Sequence, residues 1–220
     1  MKSKGFTIIE MIISIFILSV AIIGVFSAFS IVTILTSDTA DRLTGTYLAQ
    51  EGMEIVRNIR DTNWLKMDAN PSSGYTWVDG LTSASVSQSI NCVQGCEADY
   101  TTGTSVAGAW TMSPWAGSGS PLYTNNTTGF YGYNTTNATR TKFERKIIIT
   151  LVPDVDGITD TNMSDTPHVH IIKVIVQASW NEKATILNPL FPAGTCIEGK
   201  NCITAEETMY DWYNYSSQQQ

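Results

Sequence analysis

The residue in the most unusual chemical setting in this chain is Glu10. It is the only charged side chain in the stretch from Phe6 to Leu35, which is otherwise apolar with a few hydroxyl groups. An ionised side chain inside a membrane costs about 2.5–3.5 kcal/mol on insertion scales, and intramembrane acids usually have a functional partner. The sequence therefore predicts that Glu10 pairs with a cation in apolar surroundings.

The stretch from Phe6 to Leu35 has the length and composition of a membrane-spanning helix. A helix needs about 20 predominantly apolar residues to cross the hydrocarbon of a bilayer. The lysines that precede the stretch, Lys2 and Lys4, are typical of a cytoplasmic end. Residues 36–40 give only a poor cleavage site for a secretory signal peptide, and the apolar run is much longer than a signal core. We therefore predict a single-pass membrane protein.

The N-terminal residues resemble the class III leader of type IV prepilins and type II secretion pseudopilins. The resemblance is carried by the basic leader followed by Gly5, Phe6, Thr7 and Glu10, and residues 47–61 also look like those of pilin-like proteins. It implies that a prepilin peptidase cleaves after Gly5 and methylates the new amino group of Phe6. It also implies assembly with other pilin subunits into a helical filament on an inner-membrane platform, and hence an extracellular filament or cell-envelope location.

Cleavage after Gly5 would give Glu10 a chemical partner. The new α-amino cation at Phe6 would lie about one helical turn from Glu10, so a cation and an anion would both occupy apolar surroundings. Buried charges are strongly disfavoured unless they are paired. Pairing Glu10 of one subunit with the Phe6 amine of its neighbour would also exclude most axial registers between the helices. The alternative is a plain membrane anchor with an incidental acid.

The helical pattern continues beyond the apolar stretch. No proline occurs before Pro71, and apolar residues recur at helical spacing as far as Ile59. We predict one helix from Phe6 to about Arg60, preceded by a leader at residues 1–5. Residues 6–36 would lie in the membrane or the filament core, and residues 37–60 would back a soluble head.

The predicted helix contains three glycines, Gly24, Gly45 and Gly52. Close helix packing and local melting of the helix explain them equally well.

The head, residues 61–220, divides into two parts. Residues 61–141 are rich in Gly, Ser, Thr, Asn and Pro and are predicted to form a long loop region with a few short strands. Residues 142–220 contain three predicted strands: Phe143 to Val152, Ile171 to Trp180 and Ile203 through Tyr213. An antiparallel sheet laid on the second half of the helix would bury the apolar faces of both, so we predict an α+β fold, as the pilin resemblance also implies.

Four cysteines occur as two close pairs, Cys92 with Cys96 and Cys196 with Cys202. Four cysteines allow three connectivities, and a translocated protein would oxidise them. Zinc binding is the competing interpretation, but Cys-x3-Cys and Cys-x5-Cys without clear histidine companions are poor zinc spacings. We predict two local disulfides.

The acidic loop between the predicted strands Phe143 to Val152 and Ile171 to Trp180 could bind calcium, although it lacks the full spacing and the bidentate glutamate of an EF-hand. The alternative is a solvated turn, and no other cofactor is predicted. The two histidines, His168 and His170, are interpreted as ordinary polar residues at the start of a strand. The four candidate calcium ligands are Asp154, Asp156, Asp160 and Asp165.

Aromatic residues are concentrated in the loop region. They could form an adhesive surface, or they could hold the loops to the core, which is the commoner role of such residues. The residues concerned are Trp110, Trp115, Tyr123, Phe130, Tyr131 and Tyr133.

Charge and motifs exclude some functions. The formal net charge of −7 argues against general nucleic-acid binding, and no catalytic motif is present. We predict a non-enzymatic structural subunit of a type IV pilus or a related pseudopilus. The alternatives are a low-abundance minor pilin acting as a tip adhesin, a pseudopilin of a type II secretion or DNA-uptake machine, and a surface protein that never polymerises.

Overall fold

The computed structural model of the protein describes residues 7–71, 74–83, 90–100, 112–117, 120–152, 171–181, 196 and 201–211. The chain divides into two compact units, Met1–Leu43 and Thr44–Gln220. The strands belong to the second unit.

Helix α1 runs from Ile8 to Ala69. Residues 7–37 are all exposed, so this apolar segment has no partner within its own unit. From Gly45 onward one face of the helix is buried, and Val56 and Ile59 have no accessible surface. The helix therefore changes from one that is apolar on all sides to one with a single buried face.

The helix extends beyond Arg60, where the sequence pattern placed its end. The Asn63 side chain is buried and donates hydrogen bonds to the main-chain oxygens of Trp77 (3.1 Å) and Asp79 (2.7 Å). The Trp64 ring stacks on Trp77, with 6.3 Å between the ring centroids. These contacts with the following turn stabilise the last turns of the helix, and an isolated asparagine gives no sequence signal of such burial.

The described residues contain eight strands. These are β1 Cys96–Glu97, β2 Ser113–Pro114, β3 Tyr123–Asn125, β4 Tyr131–Gly132, β5 Ala138–Arg140, β6 Phe143–Leu151, β7 Ile171–Trp180 and β8 Cys202–Tyr210.

The main sheet has the order β2-β1-β6-β7-β8, and all neighbouring strands are antiparallel. Strand β7 has the limits predicted from its alternating pattern, and β6 and β8 lie within one to three residues of their predicted limits. In the centre of the sheet Ile147 pairs with Val176, which pairs with Ala205. The α+β fold with a long helix on an antiparallel sheet is thus as predicted.

A second, smaller sheet has the order β4-β3-β5 and is also antiparallel. It lies within residues 61–141, the region predicted as mostly loop. Its strands have only two or three residues, and such strands are too short to show an alternating pattern.

Two glycines bring α1 close to the main sheet. A Cβ atom added at Gly45 would lie 2.8 Å from Cζ3 of Trp180, and one added at Gly52 would lie 2.8 Å from Cγ1 of Val176. Both partner residues are fully buried in β7. Close packing therefore explains these two glycines, whereas a Cβ at Gly24 would meet nothing within 4 Å.

Replacing Gly45 with alanine is expected to destabilise the head. The indole of Trp180 has no free space to move into, so overpacking costs about 1–3 kcal/mol against a helix-propensity gain of up to about 1 kcal/mol. The expected net loss of about 1–2 kcal/mol would lower the Tm of the purified full chain, followed by tryptophan fluorescence. Gly24→Ala is the matched control, and an equal loss in both variants would contradict the packing role of Gly45.

A buried arginine joins the helix to the sheets. Arg145 in β6 has no exposed surface, and its guanidinium donates hydrogen bonds to the main-chain oxygens of Leu48 (3.2 Å) and Ala98 (2.6 Å). It also forms an ion pair with Glu51, with 3.1 Å between Nη1 and Oε2. The main-chain oxygen of Arg145 accepts a hydrogen bond from the Tyr133 hydroxyl (3.0 Å). One side chain thus contacts α1 and the segment after β1, and its main chain contacts the segment after β4.

Candidate functional site

The N-terminal turn of α1 positions Glu10. The Thr7 carbonyl accepts hydrogen bonds from the main-chain nitrogens of Glu10 (3.1 Å) and Met11 (3.2 Å), so Thr7 occupies the N-cap position. Thr7 and Glu10 have the spacing of a capping box, in which an acid in the first turn stabilises the helix start. The helix dipole favours a carboxylate at the same place. This local role was not included among the predictions, although the Thr-x-x-Glu spacing is visible in the sequence.

The hydroxyl groups of the apolar segment are satisfied within the helix. Each donates a hydrogen bond of 2.7–3.0 Å to the main-chain oxygen four residues earlier. These bonds lower the cost of placing hydroxyls in lipid. Glu10 is the only ionisable side chain on residues 7–37. The hydroxyl groups belong to Ser14, Ser19, Ser27, Ser30, Thr33 and Thr36.

Gly5 and Phe6 precede the first described residue, Thr7, and so lie outside the part of the chain that the structure describes. The pairing of the Phe6 amine with Glu10 of a neighbouring subunit therefore stays a prediction.

The cysteines form the two local disulfides that the sequence predicted, Cys92–Cys96 and Cys196–Cys202. Cys92 and Cys96 are almost completely buried. The main-chain oxygen of Cys92 accepts a hydrogen bond from the nitrogen of Ile149 (3.1 Å), and Cys96 pairs with Ile147. The short loop that the first disulfide closes is therefore bonded to β6 at both of its cysteines.

The candidate calcium ligands Asp154, Asp156, Asp160 and Asp165 lie outside the described residues, as do the two histidines. Within the described residues, no group of three or more His, Cys, Asp or Glu side chains is arranged to hold a metal ion.

The aromatic residues of the loop region differ in their surroundings. Tyr131 and Tyr133 pack against the core, and burial raises the pKa of the Tyr133 hydroxyl above its usual value. Trp115 lies under the ammonium of Lys146, which is 4.3 Å from the ring centroid. Phe130, in contrast, has 58% of its surface exposed. Most of these described rings therefore contact the protein itself, and Phe130 is available for a partner.

Tyr123 is half-buried, and Trp110 lies outside the described residues.

A charged network lies between α1 and the edge strand β8. Arg57 forms ion pairs with Glu54 in its own helix and with Glu207 in β8. The hydrogen bonds that the Arg57 guanidinium donates to the Glu207 carboxylate raise the pKa of Arg57. Lys173 in β7 forms a further ion pair with Glu206 (2.7 Å). These pairs are solvent-exposed in large part, in contrast to the Arg145 pair.

Comparison with known proteins agrees with this N-terminal site. Residues 1–26 match the family described as the prokaryotic N-terminal methylation motif. This motif is the class III signal peptide of type IV pilins, and its match covers the N-terminal end of the chain alone. The long helix on an antiparallel sheet is a pilin-like architecture, and the motif and the architecture together support a pilin-like protein. No curated protein and no solved structure matches the chain.

The motif implies processing by a prepilin peptidase and assembly with other pilins. Among the described residues, α1 is a helix long and apolar enough to cross a membrane. Its apolar segment and the motif agree with a membrane-anchored precursor.

Proposed function

We propose that the chain is a structural subunit of a type IV pilus or a related pseudopilus, assembled through α1. The observation that carries the proposal is the position of Glu10. It is the only ionisable side chain of an exposed apolar segment, and it lies in the first turn of α1, within the N-terminal methylation motif.

The exposed segment requires apolar partners. Large side chains such as Ile8, Phe16 and Phe26 are 69–81% exposed, and water is an unfavourable environment for so large a continuous apolar surface. In the precursor, lipid would cover this surface. In a filament, the same segments of neighbouring subunits would cover it, and the Phe6 amine would neutralise Glu10 there.

In this proposal residues 1–5 are the leader that the peptidase removes, and residues 6–36 are the membrane and assembly segment. Residues 37–60 and the head, residues 61–220, lie outside the cytoplasmic membrane. The disulfides agree with this location, because they persist in oxidising compartments. The protein would have no catalytic role of its own.

The mature protein is expected to begin at Phe6 and to carry one added methyl group on its α-amino nitrogen. Intact-mass spectrometry of protein purified from membranes and from sheared filaments tests this. An intact mass is preferable to a tryptic map, because the tryptic peptide that contains Phe6 runs as far as Arg42 and is largely apolar. A Gly5→Leu variant serves as the control, and it is expected to keep Met1.

A wild-type protein that retains its first five residues in filaments would overturn the proposal. If processing occurs but the chain is absent from filaments, the proposed structural role fails while the processing site stands. The share of filament mass that this chain supplies then separates a major from a minor subunit.

A further inference from the structure

One part of the head is electrically neutral. Residues 100–139 contain no charged side chain, although 15% of the chain is charged and its net charge is −7. The described part of this stretch includes β3, β4 and most of β5. A surface without charge neither attracts nor repels ions at a distance, so its partner is chosen by shape, ring contacts and hydrogen bonds.

Two exposed rings are held together at this surface. Tyr100 and Phe130 are 41% and 58% exposed, and their ring centroids are 5.2 Å apart at an interplanar angle of 52°. A Cβ added at Gly132 would lie 3.5 Å from Cε1 of Tyr100 and 3.0 Å from Oδ2 of Asp99. That Asp99 oxygen accepts a hydrogen bond from the Tyr133 nitrogen (3.1 Å). The absence of a side chain at Gly132 thus makes room for the Asp99 carboxylate, and Asp99 immediately precedes Tyr100 in the chain.

Exposed amides and hydroxyls lie in the hairpin that carries Phe130 and at the start of β5, which pairs with β3 of that hairpin. The Asn125 nitrogen donates to the Phe130 oxygen (2.9 Å), which closes the turn. Next to it, Asn126 accepts a hydrogen bond from the Thr139 hydroxyl (2.7 Å) and Asn137 donates one to Thr127 (3.0 Å). These bonds fix the side chains, and each amide can still donate and accept further hydrogen bonds.

We propose that this surface, which we name the aromatic tip (Tyr100, Asn126, Phe130 and Asn137), binds a neutral carbohydrate. The apolar face of a sugar ring packs on an aromatic ring, and sugar hydroxyls both donate and accept hydrogen bonds, as amides and Thr hydroxyls do. A nucleic acid or an anionic glycan would require cations, and residues 100–139 supply none. The exposed Arg140, at the end of β5, pairs with Tyr123, the residue of β3 farthest from the turn that carries Phe130. A stable protein partner would require about 800 Å² of this surface, far more than two rings offer.

The test uses the full chain in a detergent without a sugar headgroup, because alkyl glycosides would compete for the tip. Arrays of neutral oligosaccharides and of sialylated or sulfated ones are probed, and hits are titrated by calorimetry. We expect binding to neutral members only, with an affinity that stays constant as salt rises from about 50 to about 500 mM. Phe130→Ala and Tyr100→Ala are each expected to weaken binding about tenfold or more.

Tyr210→Ala is the matched control, because Tyr210 is a 56% exposed ring on β8 of the same head. It is expected to bind as the wild type does, and Tyr100→Phe is expected to retain binding because the ring remains. The proposal is overturned if no neutral glycan binds, if only anionic glycans bind, or if Tyr210→Ala weakens binding as much as Phe130→Ala. Because the assay needs no filament, its failure is distinct from failure of the structural role.

Discussion

Replacing Glu10 with leucine is expected to leave the chain in the membrane and to remove it from filaments. The change deletes the only charge of the apolar segment, which makes insertion easier by about 2.5–3.5 kcal/mol. Loss of filaments could not then be attributed to failed insertion. Assembly would fail because the Phe6 amine of the neighbour would remain a buried, unpaired cation, at a cost of about 3–5 kcal/mol for each subunit. The measurement is the amount of this chain in sheared filaments relative to its amount in membranes.

A second variant separates this role from helix capping. Glutamine can replace glutamate in a capping box but carries no charge. Glu10→Gln is therefore expected to fail in assembly, as Glu10→Leu does. If Glu10→Gln assembles normally, the acid serves the local helix start that Thr7 defines, and the pairing hypothesis is wrong. Ser14→Ala is a control for changes in the same turns, since the Ser14 hydroxyl bonds only to the Glu10 carbonyl of its own helix.

The long elements could be predicted because their periodic patterns are strong. The alternating residues of β7 are buried in turn, with Ile172, Val174 and Val176 fully inaccessible. The apolar segment of α1 follows from its length and composition, whereas the helix itself begins at Ile8 rather than at the predicted Phe6, because Thr7 is the N-cap residue. The short strands β1 to β5 could not be predicted, because they depend on partners distant in the chain rather than on their own two or three residues.

The burial of single polar residues in the core was also not predicted. The alternation of residues 143–152 predicts an apolar face with Phe143, Ile147, Ile149 and Leu151, and Arg145 has the same parity in the strand. The first three are buried, whereas Leu151, at the end of β6, is 43% exposed. An arginine at a core position was thus a visible signal of a buried ion pair. Its partners could not be identified from the sequence, because the oxygens of Leu48 and Ala98 belong to other segments.

Glu10 and the aromatic tip differ in how far the sequence alone reveals them. Glu10 is recognisable without a structure, because a lone acid in an apolar run requires an explanation wherever the chain folds. The aromatic tip is not recognisable in the same way. Phe130 and Tyr131 are adjacent and similar, yet Tyr131 packs on the core and Phe130 is exposed, and only the strand pairing of β3 and β4 distinguishes them.

Replacing Arg145 is expected to cause a large loss of stability in the head. Arg145→Ala leaves the Leu48 and Ala98 oxygens without this donor and opens a cavity at a fully buried site. A buried acceptor left without its donor costs about 1–3 kcal/mol, and the cavity adds to this cost, whereas the Glu51 side chain is 34% exposed and can be solvated. The expected loss is about 3–5 kcal/mol, against a total stability of about 5–15 kcal/mol for a domain. Urea unfolding of the full chain in micelles, followed by tryptophan fluorescence, gives this free energy.

Arg57→Ala is the matched control, because Arg57 also joins α1 to the sheet through an ion pair. Its side chain is 39% exposed, so water replaces the lost partner of Glu207, and the expected cost is at most about 1 kcal/mol. Arg145→Met tests whether volume or charge matters, since methionine fills most of the space but donates no hydrogen bond. If Arg145→Met is as stable as the wild type, the guanidinium contributes only bulk, and the helix is held on the sheet by apolar contacts and the close approach at Gly45 and Gly52 alone.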